Sequence, residues 1–375
     1  MKIRLSCILI AISILLGGFS VSAAFEIDSE VASAILIEAS TGEVLYEKDA
    51  DTRRAPASVT KVMTALLVME AIKEGRLGFD SKIQVSAEAS GMGGSQIFLE
   101  AGESISVHEL LKGMMVASGN DAAYAFAEAV GGTHGNFVSL MNAKAESLGL
   151  TNTSFKNCHG LDEEGHFTTA RDIATMSREL ISHEKILEYS SIWTDSIRDG
   201  KTALANTNKL VRFYNGCDGL KTGSTSVAKS CITATAVRGG MRLIAVVMAA
   251  PNSDARNAAV RQMFDYGFAT KEPYKVEGGS LPDIAVSGGK APFVSVGYEG
   301  KSMLFDKGTA SKIELRTTVA EKLSAPVKAG QVVGSVGAYL DGKELFSCEI
   351  KALSDVERVG IADIFWRIAQ LILMH

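Results

Sequence analysis

The sequence predicts an α+β protein: an antiparallel sheet flanked by helices, then a small all-β domain and a C-terminal amphipathic helix. Three observations carry this. Helical segments are inserted between an early β-branched run, "ASAILIEAS" (Ala32 to Ser40), and two late ones, "CITATAV" and "RLIAVVMAA", which sets helices against one sheet. From about Thr270 glycine and proline rise, and short alternating runs replace helical spacing. The chain then ends on "ERVGIADIFWRIAQLILMH", where apolar residues return at helical intervals.

The expected divisions are a signal peptide over 1–23, a sheet-and-helix domain over 24–269, a β-sandwich-like domain over 270–353 and an amphipathic helix over 354–375. A chain of 375 residues is long enough for two folded domains. Its 46% apolar and 22% charged content is that of an ordinary globular protein. The net charge of −5 comes without a basic run or an acidic tail, which argues against nucleic acid as a partner.

At the N-terminus, Lys2 and Arg4 precede an apolar run from Ile8 to Leu16 and a small-residue site at Val21-Ser22-Ala23. This is the layout of a secretory signal peptide cleaved after Ala23, and the run is short for a bilayer span. A retained N-terminal anchor is the alternative. Ala32 to Ser40 reads as a buried strand, turned by Thr41-Gly42 into a second one, "EVLYEKD". Ser58 to Lys73 reads as a helix ended near Gly75. Ser106 to Val116 puts Val107, Leu110, Leu111, Met114 and Met115 on one helical face. "ASGND" breaks that pattern, and helices follow from about Ala122 to Val130 and Phe137 to Leu148.

Further on, "DGLKTG" leads into a strand, the two late β-branched runs suit adjacent strands, and a helix near Ser253 to Tyr266 closes the domain. In the β domain, Asp341-Gly342 between alternating runs signals a hairpin. In the terminal helix, Ile361, Ile364, Phe365, Ile368, Leu371 and Ile372 share a face opposite Asp363, Arg367 and Gln370. That suits an anchor lying in a membrane surface, with docking on its own domain or on a partner as the alternative.

Cys7 leaves with the signal, so Cys158, Cys217, Cys231 and Cys348 remain in an exported chain. Their irregular spacing and the size of the protein favour free buried thiols, with a Cys217–Cys231 bridge across a hairpin as the alternative. No Cys-x-x-Cys is present, and the His-Glu pairs at His108 and His183 lack the second histidine of a zinc protease. No metal site and no organic cofactor are expected.

The chemistry concentrates in three short motifs: Ser58-Val59-Thr60-Lys61, Ser118-Gly119-Asn120 and Lys221-Thr222-Gly223. Ser-x-x-Lys alone is weak, since it recurs at Ser182 to Lys185 and Ser226 to Lys229. The order of the three, and the elements that carry them, make the signal specific: a helix start, a break between helices, and a strand. A serine hydroxyl needs a base before it attacks, and residues i and i+3 share a helical face, so Lys61 can reach Ser58. A lysine titrating at about 10.4 is almost wholly charged at neutral pH and must be pushed down. Burial, the positive helix end and the nearby cation of Lys221 all push that way. Ser118 suits a proton relay to the leaving amine, and Asn120 suits holding a substrate amide or orienting Lys61. The Ser58 amide and one from the Lys-Thr-Gly strand suit an oxyanion hole.

With these motifs, "NCHGLDEEGHFTTARDIA", "TNKLVRFYNGCDGLKTGSTSVAKSCITATA" and "APNSDARNAAVRQMFDYGF", nearly the whole mature chain resembles the serine-type D-alanyl-D-alanine carboxypeptidases, the low-molecular-mass penicillin-binding proteins. The resemblance implies a penicillin-binding/β-lactamase-like transpeptidase fold and a substrate: peptidoglycan stem peptides ending in D-Ala-D-Ala. It implies Ser58 as the acylated nucleophile, Lys61 as general base, and Ser118 and Asn120 as the second motif. Lys221, Thr222, Gly223 and the Ser224 amide would bind substrate, and Arg256, with Lys221 and Thr222, its terminal carboxylate. Some relatives carry histidine where Ser224 stands, and the second motif has glycine where others have aspartate. β-Lactam antibiotics would acylate the same serine and leave slowly.

The implied location is the outer face of the bacterial cytoplasmic membrane. A β-lactamase or a D,D-endopeptidase is the alternative enzyme, and an inactive envelope-binding module the alternative of another class. No Glu-x-x-x-Asn segment like that of class A β-lactamases lies between Asn120 and Lys221.

Overall fold

In the computed structural model, which describes residues 25–373 apart from Ser29, a five-stranded antiparallel sheet organises the first part of the chain. Its order is Val44–Lys48, Ser33–Glu38, Met241–Ala250, Lys229–Arg238, Cys217–Thr225. The signal segment 1–23 lies outside the described residues.

The β-branched runs take the centre because both sheet faces are covered. Alternation along Ser33–Glu38 sends Ile35 and Ile37 to one face and Ala34 and Leu36 to the other. The first face packs on the inserted helices through Leu66, Met114 and Phe126. The second packs on the helix Ser253–Thr270 through Val260, Met263 and Phe264. Register pairs Ile35 with Val246 and Ile37 with Ile244, so sequence-distant strands close the sheet.

The helices sit where the spacing places them, with shifted ends. Ser106 caps Val107–Val116 through a reciprocal box with Glu109. Gly119 precedes Asn120–Gly131, and Thr133 caps His134–Ser147. One expectation changes in a way that matters. Ser58 is not in an α-helix: Ala57–Thr60 forms a tight 3₁₀ turn, and the α-helix runs from Lys61 to Lys73. The turn is squeezed by two neighbours. A Cβ on Gly160 would stand 1.9 Å from the Ala57 carbonyl oxygen, and one on Gly223 would stand 2.7 Å from the Ser58 nitrogen.

From Lys271 to Ala352 the regular structure is β apart from one 3₁₀ turn, Ala310–Lys312. A six-stranded sheet runs Glu314–Val319, Val332–Leu340, Lys343–Ala352, Phe293–Tyr298, Gly279–Ser287, Lys322–Ser324. A ribbon of Lys271–Val276 and Lys301–Asp306 lays Tyr274 and Phe305 near Phe346 of that sheet. Asp341 and Gly342 make the expected hairpin turn. The helix Ile361–Leu373 follows, with Ile361, Ile364, Phe365 and Trp366 exposed. No described helix is long and apolar enough to cross a membrane.

Cys158, Cys217, Cys231 and Cys348 are free and buried. A Cys217–Cys231 bridge does not form, because register sets Cys217 opposite Ala236 and Cys231 opposite Gly223, far apart on one ladder.

Candidate active site

Ser58 stands on the 3₁₀ turn and Lys61 opens the helix behind it. The Ser58 hydroxyl is not used as a helix cap, and Ser58 keeps partial exposure while Lys61 is wholly buried. Lys61 Nζ donates to Ser58 Oγ at 2.9 Å, Asn120 Oδ1 at 2.6 Å and the His159 carbonyl at 2.8 Å. Two of these acceptors are fixed. Asn120 is held by its own side-chain amide on the Gly93 carbonyl at 2.7 Å, and by its backbone amide on the Ser95 carbonyl at 2.7 Å. When Lys61 is neutral, Asn120 and His159 can occupy its two N–H groups and turn the lone pair towards Ser58.

Burial brings the Lys61 amine down to about 7, against weaker upward pulls from Cys158 and Asp121. Burial is one of the three causes expected, and it is the largest. Lys221 is pushed well below its ordinary range, first by burial and then by the charges of Lys61 and Arg256. Its only hydrogen-bond acceptor among the described residues is the neighbouring Thr222 carbonyl, at 2.8 Å. Thr222 donates its hydroxyl to Thr207 at 2.7 Å.

Gly223 lies against the Ser58 turn, where the absence of a side chain is what admits the strand. Ser224 is exposed on the same strand beside it. Ser118 is buried in a left-handed backbone, φ 65°, and its hydroxyl makes no hydrogen bond among the described residues, so the contact expected of a relay to Lys61 is not formed. Arg256 is buried in the helix Ser253–Thr270 rather than solvated. Its guanidinium reaches Asn257 Oδ1 at 3.1 Å and the Cys231 carbonyl at 3.5 Å, with no carboxylate in an ion pair among the described residues. Burial holds its pKa below the usual guanidinium value.

Sequence reasoning passed over three contributors. Asp121, fully buried at the start of Asn120–Gly131, accepts the amides of Ile97, Leu99 and Ala122. The His159 carbonyl is backbone and carries no letter of its own, although Gly160 beside it marked a close approach. The strip Gly93–Ser95 holds Asn120 through carbonyls alone.

His134, Cys158 and His159 bring ligand-type atoms within 4.8 Å of one another, the one such group among the described residues. The Leu161 amide donates to His159 Nδ1, which leaves the proton on Nε2 and no free lone pair on that ring. Burial pushes the Cys158 thiol up to about 12 and the His159 imidazole down to about 3. The chemistry is that of neutral groups packed behind Lys61.

The chain is similar to known proteins over most of its length. Residues 18–252 match the family described as D-alanyl-D-alanine carboxypeptidase, and residues 268–358 match the C-terminal domain of penicillin-binding protein 5. D-alanyl-D-alanine carboxypeptidase DacF of Bacillus subtilis is 43% identical over 342 residues, covering 89% of this chain and 88% of the relative. DacC of Escherichia coli is 34% identical, covering 88% and 86%. The crystal structure of penicillin binding protein 5 from Haemophilus influenzae superposes with a TM-score of 0.76 at 31% identity, covering 89% of this chain and 99% of that one.

Proposed function

The chain belongs to the D-alanyl-D-alanine carboxypeptidase family, serine hydrolases of the penicillin-binding class, and on that premise we propose that Ser58 is the nucleophile and Lys61 its base. Ser58 Oγ attacks the carbonyl of the penultimate D-alanine and gives its proton to the neutral Lys61 amine. The amides of Ser58 and Ser224 receive the oxyanion. As the tetrahedral centre collapses, the peptide bond breaks and the departing D-alanine amine takes the proton that Lys61 received, relayed by the Ser118 hydroxyl once it turns to the Lys61 ammonium, so Lys61 is neutral again. Water then attacks the ester and frees both Ser58 and the shortened peptide. A β-lactam acylates the same oxygen. Lys221, Thr222 and Arg256 hold the substrate's terminal carboxylate, and that anion restores the charge that burial takes from Lys221.

The observation that carries this reading is the 2.9 Å contact of Lys61 Nζ with Ser58 Oγ beside two fixed acceptors. Arg256, buried without a carboxylate, supports the anion site. The test is D-alanine release from a synthetic stem pentapeptide. Ser58→Ala lowers the rate by more than about a thousandfold, and labelled penicillin marks Ser58 in the unaltered chain. A label on another residue refutes the assignment.

The same reading takes residues 1–23 as an export signal, 24–269 as the catalytic domain, 270–353 as a small β domain and 354–375 as an anchor on the outer face of the cytoplasmic membrane. Exposed Ile361, Ile364, Phe365 and Trp366 support an interfacial helix. Removal of the residues after Glu357 shifts the protein from the membrane to the soluble fraction, and unchanged fractionation removes the anchor from the proposal.

A further inference from the structure

Ala57, the residue before Ser58, is buried at φ 48°, a left-handed backbone that residues other than glycine rarely adopt. Strain of this kind persists only where the surroundings hold it. Its carbonyl accepts the Thr60 hydroxyl at 2.8 Å. The Thr60 oxygen in turn stands 2.8 Å from Nε2 of His166, which is 106 residues further along the chain. The other side of the ring sets the proton positions. The Lys156 amide donates to His166 Nδ1 at 3.0 Å, so the neutral ring carries its hydrogen on Nε2. Nε2–H then donates to Thr60, and Thr60 keeps its own hydrogen for the Ala57 carbonyl. One arrangement of protons satisfies all three contacts. Burial keeps it so, since the imidazole is pushed down to about 4 and is neutral near pH 7.

The ring is held in place. His166 and Thr60 are both buried, and Phe155 meets the imidazole edge-on with ring centres 5.9 Å apart. The next two residues are laced to other segments, Phe167 to Ser154 and Thr168 to Arg54, the latter just ahead of the Ser58 turn. The same loop gives the His159 carbonyl to Lys61 and sets Gly160 against Ala57. Resting on the reading of Ser58 as nucleophile and Lys61 as base, we propose that His166 is a positioning residue: through the Thr60 hydroxyl it fixes the Ala57 carbonyl, and with it the direction in which Ser58 Oγ meets Lys61 and the substrate. The donor chain stops one residue short of the reacting oxygen. It therefore acts on the alignment of that oxygen and not on the hold over the substrate's carboxylate. Misalignment of a reacting atom costs rate more than affinity.

The test is acylation of the full chain by a labelled penicillin, with the rate at saturation and the half-saturating concentration measured separately, per folded molecule. Thr60→Val keeps the branched shape and deletes the hydroxyl, and His166→Leu deletes the ring donor. Each lowers the saturating rate about tenfold and leaves the half-saturating concentration within about twofold. Thr60→Ser and His166→Gln keep a donor at similar reach and hold the rate within about threefold. The double variant of Thr60→Val with His166→Leu falls no further than either alone, because both cut one chain. An unchanged rate in Thr60→Val overturns the proposal. So does a matching change in rate and half-saturating concentration, or a fall in Thr60→Ser and His166→Gln as deep as in the other two, since each marks a general loosening of the loop. If His166→Leu does not fold, Thr60→Val decides, because it adds no bulk. The mass of the adduct separates this proposal from the reading beneath it. A label on a residue other than Ser58 refutes the nucleophile, whereas a label on Ser58 with an unchanged Thr60→Val rate refutes the positioning role alone.

Discussion

Among the described residues, every buried polar or charged side chain lies at or before Asn257, whereas the sheet and ribbon after Lys271 bury apolar side chains alone. The first region spends stability on burying charge, and the second does not. The difference sharpens when the buried charges are sorted by their partners. Glu38 is answered by the amides and hydroxyls of Ser40 and Thr41, and Asp121 by backbone amides, so both shape the chain locally. Lys61, Lys221 and Arg256 are buried without an ion-pair partner among the described residues. Unpaired buried charge is costly, and a fold keeps it where a substrate or a proton transfer uses it. That separates the reacting region from its β neighbour on physical grounds.

Lys61→Met tests this most severely. Acylation by penicillin falls by about 10²–10⁴, the usual loss on removing a general base. Stability moves the opposite way. A lysine at about 7 when folded and near 10.5 when unfolded binds fewer protons in the folded state. Stability therefore falls as pH drops from about 10 to below 7, by an amount of about 5 kcal/mol for a shift of this size. The methionine variant melts higher than the unaltered chain at pH 6, and its advantage fades towards pH 10. A variant that is both inactive and less stable at pH 6 breaks the comparison, because Lys61 would then be structural.

Arg256→Ala comes next. A charge-assisted contact to the substrate carboxylate is worth about 10- to 100-fold in KM. The comparison peptide is the C-terminal amide, which lacks the anion, and the preference of the unaltered chain for the free acid over that amide collapses in the variant. An unchanged preference removes Arg256 from the carboxylate site.

The pH profile of acylation gives a smaller effect. The neutral fraction of Lys61 grows about tenfold from pH 6 to pH 8 if it titrates at about 7. The rate rises with it, and His159, at about 3, and His166, at about 4, are neutral throughout that range and add no step. A rate that is flat from pH 6 to pH 8 places the base elsewhere.

The two regions also differ in how far their sequences could be read. The β region follows local rules. Phe346, Cys348, Ile350 and Ala352 alternate inward along Lys343–Ala352, and Asp341-Gly342 supplies the turn. The early and late strands of the first sheet were legible as β-branched runs for the same reason. The three motifs were legible as letters, but their geometry was not. Ser58 sits on a 3₁₀ turn packed closely against Gly160 and Gly223, which are distant in sequence. The Lys61 acceptor at residue 159 is a carbonyl, which any residue supplies. The burial that lowers both Lys61 and Lys221 comes from tertiary packing, which local sequence does not spell out. The helix Ala170–Ile181, capped by Thr169, was not among the expected elements, although its cap and spacing are ordinary.

The last prediction concerns the quiet side of the comparison. Ile350 is fully buried in the β region's apolar cluster and opposes Tyr298 and Gly334 across its two neighbouring strands. Ile350→Ala removes methyl and methylene contacts and leaves a cavity, which costs about 2–4 kcal/mol of stability. With no charge buried nearby to be released, the loss has no opposing gain, unlike Lys61→Met. D-alanine release per folded molecule stays at the unaltered rate, because nothing in that cluster touches Ser58 or its partners. A fall in kcat at temperatures where the variant remains folded shows that the β core bears on the reacting groups. The contrast between a region that buries charge to react and one that buries only carbon would then no longer hold.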